Sequence, residues 1–299
     1  MLTFTFWDVQ HGHACHIRTP NGRHIVIDLG IGSFGDGKSF SPLQYLRSTG
    51  AEVDYLVITH PHRDHIDDIE NFDLVSPKLL NRPNHLTETE VRAGNKPTDS
   101  AKVDRYLEIS NRYNGGIVPR GPLDLSTSPQ WGGVQIQTFA PSRCNRSQLN
   151  NHSLVTILQY ADAKVLIPGD NEAASWRELL ENQQFVSAAK GTHILLAPHH
   201  GRLAGYSSEL FEKIGKVKLT VISDGPHCDT SATRYYGNQS DGWPVHYADG
   251  SWETRYCVTT RCDGIIRIES YFARDGNAHL VVRAQRGSAA GSGFFRSLI

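Results

Sequence analysis

The stretch Val53-Asp54-Tyr55-Leu56-Val57-Ile58-Thr59-His60-Pro61-His62-Arg63-Asp64-His65 decides how this chain is read. Its first part is a near-continuous apolar run of the kind found in strands covered on both faces. The run ends on His60-Pro61-His62-Arg63-Asp64-His65, in which four residues of six are metal-ligand types. A strand end splays such side chains into a common pocket, and a turn into a helix returns Asp64 and His65 towards it. Imidazole nitrogen and carboxylate oxygen suit zinc, and also manganese or iron. The competing reading, a histidine-rich surface loop, is disfavoured by both spacing and position.

One loop rarely fills two metal shells, so further ligands are sought at other strand ends. Asp170 closes the run Val165-Leu166-Ile167-Pro168-Gly169-Asp170. It reads either as a carboxylate bridging two cations or as the cap of a helix predicted over 172–180. His199 and His200 follow Ile194-Leu195-Leu196-Ala197-Pro198 and precede Gly201; they read as ligands or as surface histidines. His152, just before an expected strand at 153–160, is a ligand or a structural histidine. Asp28 ends Ile25-Val26-Ile27-Asp28, where it would organise the loop, orient a ligand or ligate.

Around these positions the pattern predicts strands at 2–9, 14–18, 24–29, 53–59, 134–139, 153–160, 164–167, 193–197, 219–223, 256–260 and 265–269. Helices are expected at 42–49, with Ser41 as N-cap, near 100–112, and at 173–181 and 207–214. Residues 77–130 read as a polar excursion over the active-site face, and a loose tail is expected from about residue 286. Strands in meanders broken by helices favour sheets with helices on their outer faces.

Composition narrows the function. The 299 residues carry 30 Lys+Arg against 31 Asp+Glu, a formal net charge of -1. That balance excludes a strongly basic domain with bulk affinity for nucleic acid. With 38% hydrophobic and 20% charged residues, the chain reads as globular and soluble. No run approaches the ~18 apolar residues of a membrane span. The opening residues lack the features of a secretory signal, so the expected location is cytoplasmic. Five cysteines at irregular spacing (Cys15, Cys144, Cys228, Cys257 and Cys262) make neither a disulfide framework nor a zinc clip.

Taken in order, the motifs His60-x-His62-x-Asp64-His65, Gly169-Asp170 and His199-His200-Gly201 resemble those of the metallo-β-lactamase superfamily. The finer likeness is to the hydrolase domain of ComEC-type DNA-uptake proteins and its stand-alone relatives. Asp8-Val9-Gln10-His11-Gly12-His13-Ala14 is similar to their D-V-G-Q-G-D-A segment, Ile27-Asp28-Leu29-Gly30 to I-D-x-G, and Asn151-His152-Ser153-Leu154-Val155 to N-x-S-L-V. Thr260-Arg261-Cys262-Asp263-Gly264-Ile265 resembles a late T-x-x-x-G-x-I hairpin, with the isoleucine one place early. Two departures stand out. His11 and His13 replace Gln and Asp, and the family's short G-H-P stretch is here a longer one ending Gly242-Trp243-Pro244, with His227 or His246 as substitutes for the missing histidine. No stretch reads as the DNA-uptake channel, so a transport role does not carry over.

The resemblance implies an α/β (α+β) fold, a four-layer αββα sandwich, as one hydrolase domain over 1–299 with two divalent metal ions, zinc first and manganese second. It implies one cation on His60, His62 and His152, the other on Asp64, His65 and one of His199 or His200, with Asp170 bridging. Two such cations would lower the pKa of a shared water from roughly 15.7 to about 7. The leading expectation is therefore a phosphodiesterase or nuclease, with Asp64 at the reacting centre and His227 as leaving-group acid; Tyr235 and Tyr236 are weaker candidates for that acid. The expected partner is nucleic acid or a small phosphodiester, not a membrane. Arg143, Arg146, Lys78, Arg82 and Arg202 are candidates for a phosphate track or ordinary surface charge. A hydrolase of a small ester, lactone, thioester or cyclic nucleotide is the alternative, and a closed aromatic pocket from Tyr235, Tyr236 and Trp243 would favour it. A metal-binding scaffold without turnover is the third reading.

Overall fold

The computed structural model describes residues 1–34, 37–114, 128–226, 229 and 231–286. Among them, strands build one nine-stranded and one six-stranded sheet. In the larger, Leu2–Phe6 lies between Ile266–Phe272 and Cys15–Arg18, followed outward by His24–Ile27, Val53–Val57 and the edge strand Leu79–Asn81. The smaller runs Cys257–Thr259, Leu219–Ile222, Ile194–Leu196, Ala163–Ile167, Val155–Tyr160, Gln135–Phe139.

Alternation along the strands sorts side chains into layers. Ile25, Ile27, Tyr55 and Val57 point between the sheets, where they meet Leu158, Val165, Ile167, Ile194 and Leu196. Val26, Leu56 and Ile58 point the other way, against Leu43 and Leu46 of the helix Pro42–Ser48 and Val103, Tyr106 and Ile109 of the helix Ser100–Arg112. On the far face of the smaller sheet, Leu166 and Leu195 pack under Trp176, Leu179, Phe185, Leu210 and Phe211. Those residues come from the helices Ala173–Glu181, Gln183–Ala189 and Ser208–Ile214. The result is a mixed α/β fold in four layers, helix–sheet–sheet–helix. Val53–Val57 is buried throughout because both its neighbours run parallel and both its faces are covered. Asp54 sits in that strand satisfied by Arg23 Nη1, Lys78 Nζ and the His24 amide, each at 3.0 Å.

Several expectations are corrected. Within residues 77–130, Leu79–Asn81 adds an edge strand to the larger sheet that the sequence reading did not include. Thr260–Asp263 is a short helix capped by the Thr259 hydroxyl and not the turn of a hairpin. The strands Trp243–Tyr247, Trp252–Arg255 and Ala278–Ala284 and the helix Gln183–Ala189 add to the predicted set. The tail beyond 286 lies outside the described residues. Among the described residues, no helix is long and apolar enough to cross a membrane.

On the outer face of the larger sheet, the His16 ring lies between Trp7, at 5.6 Å and nearly parallel, and His24, at 5.1 Å. Burial, with help from His24, Arg18 and Arg267, pushes the His16 pKa down to about 3. The unfolded chain takes up a proton there near pH 6.5, whereas the folded protein resists it to about pH 3, so stability falls as pH falls through that window. His16→Phe keeps a ring in the stack and removes this titration. Unfolding free energy measured by denaturant from pH 7 to 3 should then fall less steeply in the variant, by about one proton; parallel curves would contradict the assignment.

Candidate metal centre

Strands of both sheets end on one edge, and the motif residues stand there. Ile194–Leu196 runs parallel to Ala163–Ile167 and to Leu219–Ile222, so Asp170, His200 and Ser223 follow neighbouring strand ends. His24–Ile27 and Val53–Val57, also parallel, deliver Asp28 and the Thr59-His60 step. Ligand sites in α/β sheets form at such carboxyl ends.

Asp170 occupies the centre. Its Oδ1 lies 3.2 Å from His65 Nε2, and its Oδ2 lies 3.4 Å from His200 Nε2 and 3.9 Å from His60 Nε2. Asp64 Oδ2 lies 3.1 Å from the same His200 Nε2. Ligand atoms of Asp64, His65, Asp170 and His200 all fall within 4.8 Å of one another. His60 Nε2 also meets His62 Nδ1 at 3.1 Å. Asp170 is not a helix cap: Glu172 takes that role, exchanging hydrogen bonds with Ser175.

Each converging imidazole is anchored through its other nitrogen. His65 Nδ1 lies 2.8 Å from Asp28 Oδ2, His200 Nδ1 3.0 Å from the Ser223 carbonyl, His60 Nδ1 3.2 Å from Thr59 Oγ1, and His62 Nε2 3.3 Å from the Gly94 carbonyl. Anchoring of this kind fixes the tautomer and turns the free lone pair towards a cation. Asp28 also accepts from the Thr59 amide at 2.7 Å, the Thr59 hydroxyl at 2.8 Å and His13 Nδ1 at 3.0 Å.

Electrostatics match the donor set. Burial opposes ionisation of Asp170, but His65 and His200 outweigh it and hold the carboxyl well below the usual range. Asp64 is lowered in the same way, against burial, by His65 and His200. Burial likewise opposes charge on His200, yet Asp170 and Asp64 push its pKa up to about 10; His65 is raised for the same reason by Asp170, Asp28 and Asp64. Burial and His65 keep His60 neutral. Ionised carboxylates held among imidazoles suit divalent cations.

The backbone is bent to make this convergence. Asp28, His199 and His200 all have positive φ, at 60°, 51° and 54°, a conformation that costs L residues roughly 1–2 kcal/mol each. Gly12 is required: a Cβ there would stand 2.5 Å from the Asp64 carbonyl oxygen.

Other candidates fall elsewhere. His199 turns from the cluster, its Nδ1 3.0 Å from Glu172 Oε1 and its Nε2 3.3 Å from Arg202 Nη1. His152 has both nitrogens engaged, Nδ1 with His85 Nε2 at 2.9 Å and Nε2 with the Asn145 carbonyl at 3.3 Å. Tyr236 is core, Trp243 packs against a different cluster, and Tyr235 is exposed against Tyr206, so the three form no shared pocket. His246 is on the strand Trp243–Tyr247, exposed, near the far edge of the larger sheet. His227 lies outside the described residues. His11, read only as a departure, sits at the mouth with Nε2 3.4 Å from Asp64 Oδ2 and its ring 5.2 Å from His200. His85 carries no pattern in sequence; its partner His152 is 67 residues away.

Residues 10–132 match the family model described as the Metallo-beta-lactamase superfamily. That match supports the metallo-beta-lactamase superfamily for this chain. The matched segment holds His11, His13, Asp28 and the whole of His60–His65. A comparison with curated proteins gives no match. Among solved structures, the chain is similar to the metallo-beta-lactamase fold protein YhfI from Bacillus subtilis, at 11% identity and a TM-score of 0.42, over 79% of this chain and 91% of that one. It is also similar to a long form RNase Z from yeast, at 12% identity and a TM-score of 0.44, over 97% of this chain and 51% of that one.

Asp28 is ionised and buried beneath His65, and Asn in its place would have to donate where four donors already point. Asp28→Asn should weaken zinc affinity roughly tenfold to a hundredfold, measured by competition with a chromophoric chelator. Unchanged affinity would show that the Asp28–His65 contact does not tune the centre.

Proposed function

We propose that the protein is a metal-dependent hydrolase of phosphodiesters. One observation carries this reading: the Asp170 carboxylate lies within 3.9 Å of three imidazoles, its Oδ1 near His65 Nε2 and its Oδ2 near His200 Nε2 and His60 Nε2. A carboxylate so placed suits two cations, one held by His60 and His62 and one by Asp64, His65 and His200, with Asp170 common to both. His152 joins the first only by releasing His85 or Asn145. Zinc is the metal proposed first, manganese second.

When bound, the cations would supply hydroxide near neutral pH and stabilise charge on phosphoryl oxygens, the demand of an in-line displacement at phosphorus. The protein's own share is orientation. Thr59, Asp28, Ser223 and Gly94 fix the imidazoles, and Asp64, 21% exposed, is the ligand that faces the mouth. His227 is assigned as leaving-group acid from its place in the sequence. The likeness of 8–14, 27–30 and 151–155 to ComEC-type hydrolase segments supports the same substrate class. The aromatic pocket that would favour the small-substrate alternative is not formed by Tyr235, Tyr236 and Trp243.

Stripped protein reloaded with zinc or manganese should hold about two ions per chain and cleave bis-(p-nitrophenyl) phosphate or a polynucleotide. Asp64→Ala and Asp170→Ala should each lower kcat at least a hundredfold, on the order of what losing one electrostatic contact to a transition state costs. Two ions bound with no cleavage of any diester, DNA or RNA would favour the scaffold; failure to bind metal would contradict the proposal.

A further inference from the structure

The five basic residues that sequence offered as a phosphate track differ in their company. Lys78 pairs with Glu52 and Asp54, Arg143 with Glu178 and Glu181, and Arg146 with Glu90. Arg82 is spent on the Ser110 hydroxyl and carbonyl. Arg63, inside the histidine motif, pairs with Asp67 and Asp99, and Arg261 pairs with Asp224. Arg202 stands apart. Among the described residues no carboxylate lies within ion-pair distance of its guanidinium, whose Nη1 contacts His199 Nε2 at 3.3 Å. Its Nε is buried without a hydrogen-bond partner among those residues.

Arg202 is also positioned. Glu172 Oε1 lies 3.0 Å from His199 Nδ1, and His199 Nε2 lies 3.3 Å from Arg202 Nη1. The His199 amide meets the Gly169 carbonyl at 3.3 Å, which ties the residue that contacts Arg202 to the Gly169-Asp170 turn. Across the mouth stands His11, in contact with Asp64; burial depresses its pKa first, and the Arg202 charge adds to that. The Arg202 charge is felt at His11 and at the exposed Asp229, and a partly covered guanidinium so placed can meet an oxyanion that carboxylates alone would repel.

We propose that Arg202, held by His199 and Glu172, is the specificity-determining clamp for an anionic substrate, binding a non-bridging phosphate oxygen at the mouth of the metal centre. This deepens the hydrolase reading and rests on it. A phosphodiester is thereby favoured over a neutral ester or lactone.

The test uses zinc-loaded parent, Arg202→Gln, Arg202→Lys and, as a charge-matched control, Arg143→Gln. Calorimetry gives the Kd for inorganic phosphate. KM is measured for bis-(p-nitrophenyl) phosphate and for neutral p-nitrophenyl acetate, and zinc content is measured in every protein. Arg202→Gln should weaken phosphate roughly tenfold to a hundredfold and raise KM for the diester, with zinc content and acetate KM unchanged. Arg202→Lys should recover part of the phosphate affinity, and Arg143→Gln should match the parent. Equal phosphate affinity in parent and Arg202→Gln, or no phosphate binding by the parent, would overturn the clamp. If Arg202→Gln does not fold, Arg202→Lys at parental affinity overturns it equally. Zinc content and diester turnover of the parent report separately on the hydrolase reading.

Discussion

A single buried carboxylate ties the molecule together. Asp28 accepts from the Thr59 amide, the Thr59 hydroxyl, His13 and His65, all at 3.0 Å or less. A charge taken out of water is tolerated only when its lone pairs are met in this way. Burial works against its ionisation, and His65 and His13 more than compensate, holding it ionised. These four bonds join three parts of the chain: the loop after the first strand, the third strand's end and the histidine motif. The same residue accepts a left-handed backbone to reach them. Loss of any one donor would loosen the imidazole that faces Asp170.

The rest of the centre follows the same logic of anchored imidazoles on strained turns. His199 and His200 adopt consecutive left-handed conformations, and the turn sends them opposite ways. One joins Asp64 and Asp170; the other reaches Glu172 and Arg202. Strain of this kind persists only where surrounding contacts over-determine it. Here those contacts are the Ser223 carbonyl on His200 and the Gly169 carbonyl on the His199 amide. One dipeptide thus contributes to the candidate metal centre through His200 and to its surroundings through His199.

Much of this was legible in the chain because it is local. The apolar run into His60 gave a strand buried on both faces, and the periodicity at 42–49, 100–112 and 173–181 matched Pro42–Ser48, Ser100–Arg112 and Ala173–Glu181. The strands Trp243–Tyr247 and Trp252–Arg255 escaped because they are short and half-exposed at the edge of the sheet, the first interrupted by Pro244 and the second polar at three of its four residues. Gln183–Ala189 was hidden because Asn182 ends one helix and caps the next, leaving no loop between them. In the site, the choice between His199 and His200 rests on backbone handedness that residue types do not encode. The His85–His152 contact depends on a tertiary partner far away in sequence. For Arg202 the informative fact is that no carboxylate among the described residues lies within ion-pair distance of it, and no motif records that.

Anomalous diffraction from crystals of the zinc-loaded protein, collected at the zinc edge, tests the central claim most directly. The account predicts two peaks, one on each side of the Asp170 carboxylate, the first against His60 and His62 and the second against Asp64, His65 and His200. A site without zinc, or zinc bound only away from Asp170, would contradict it.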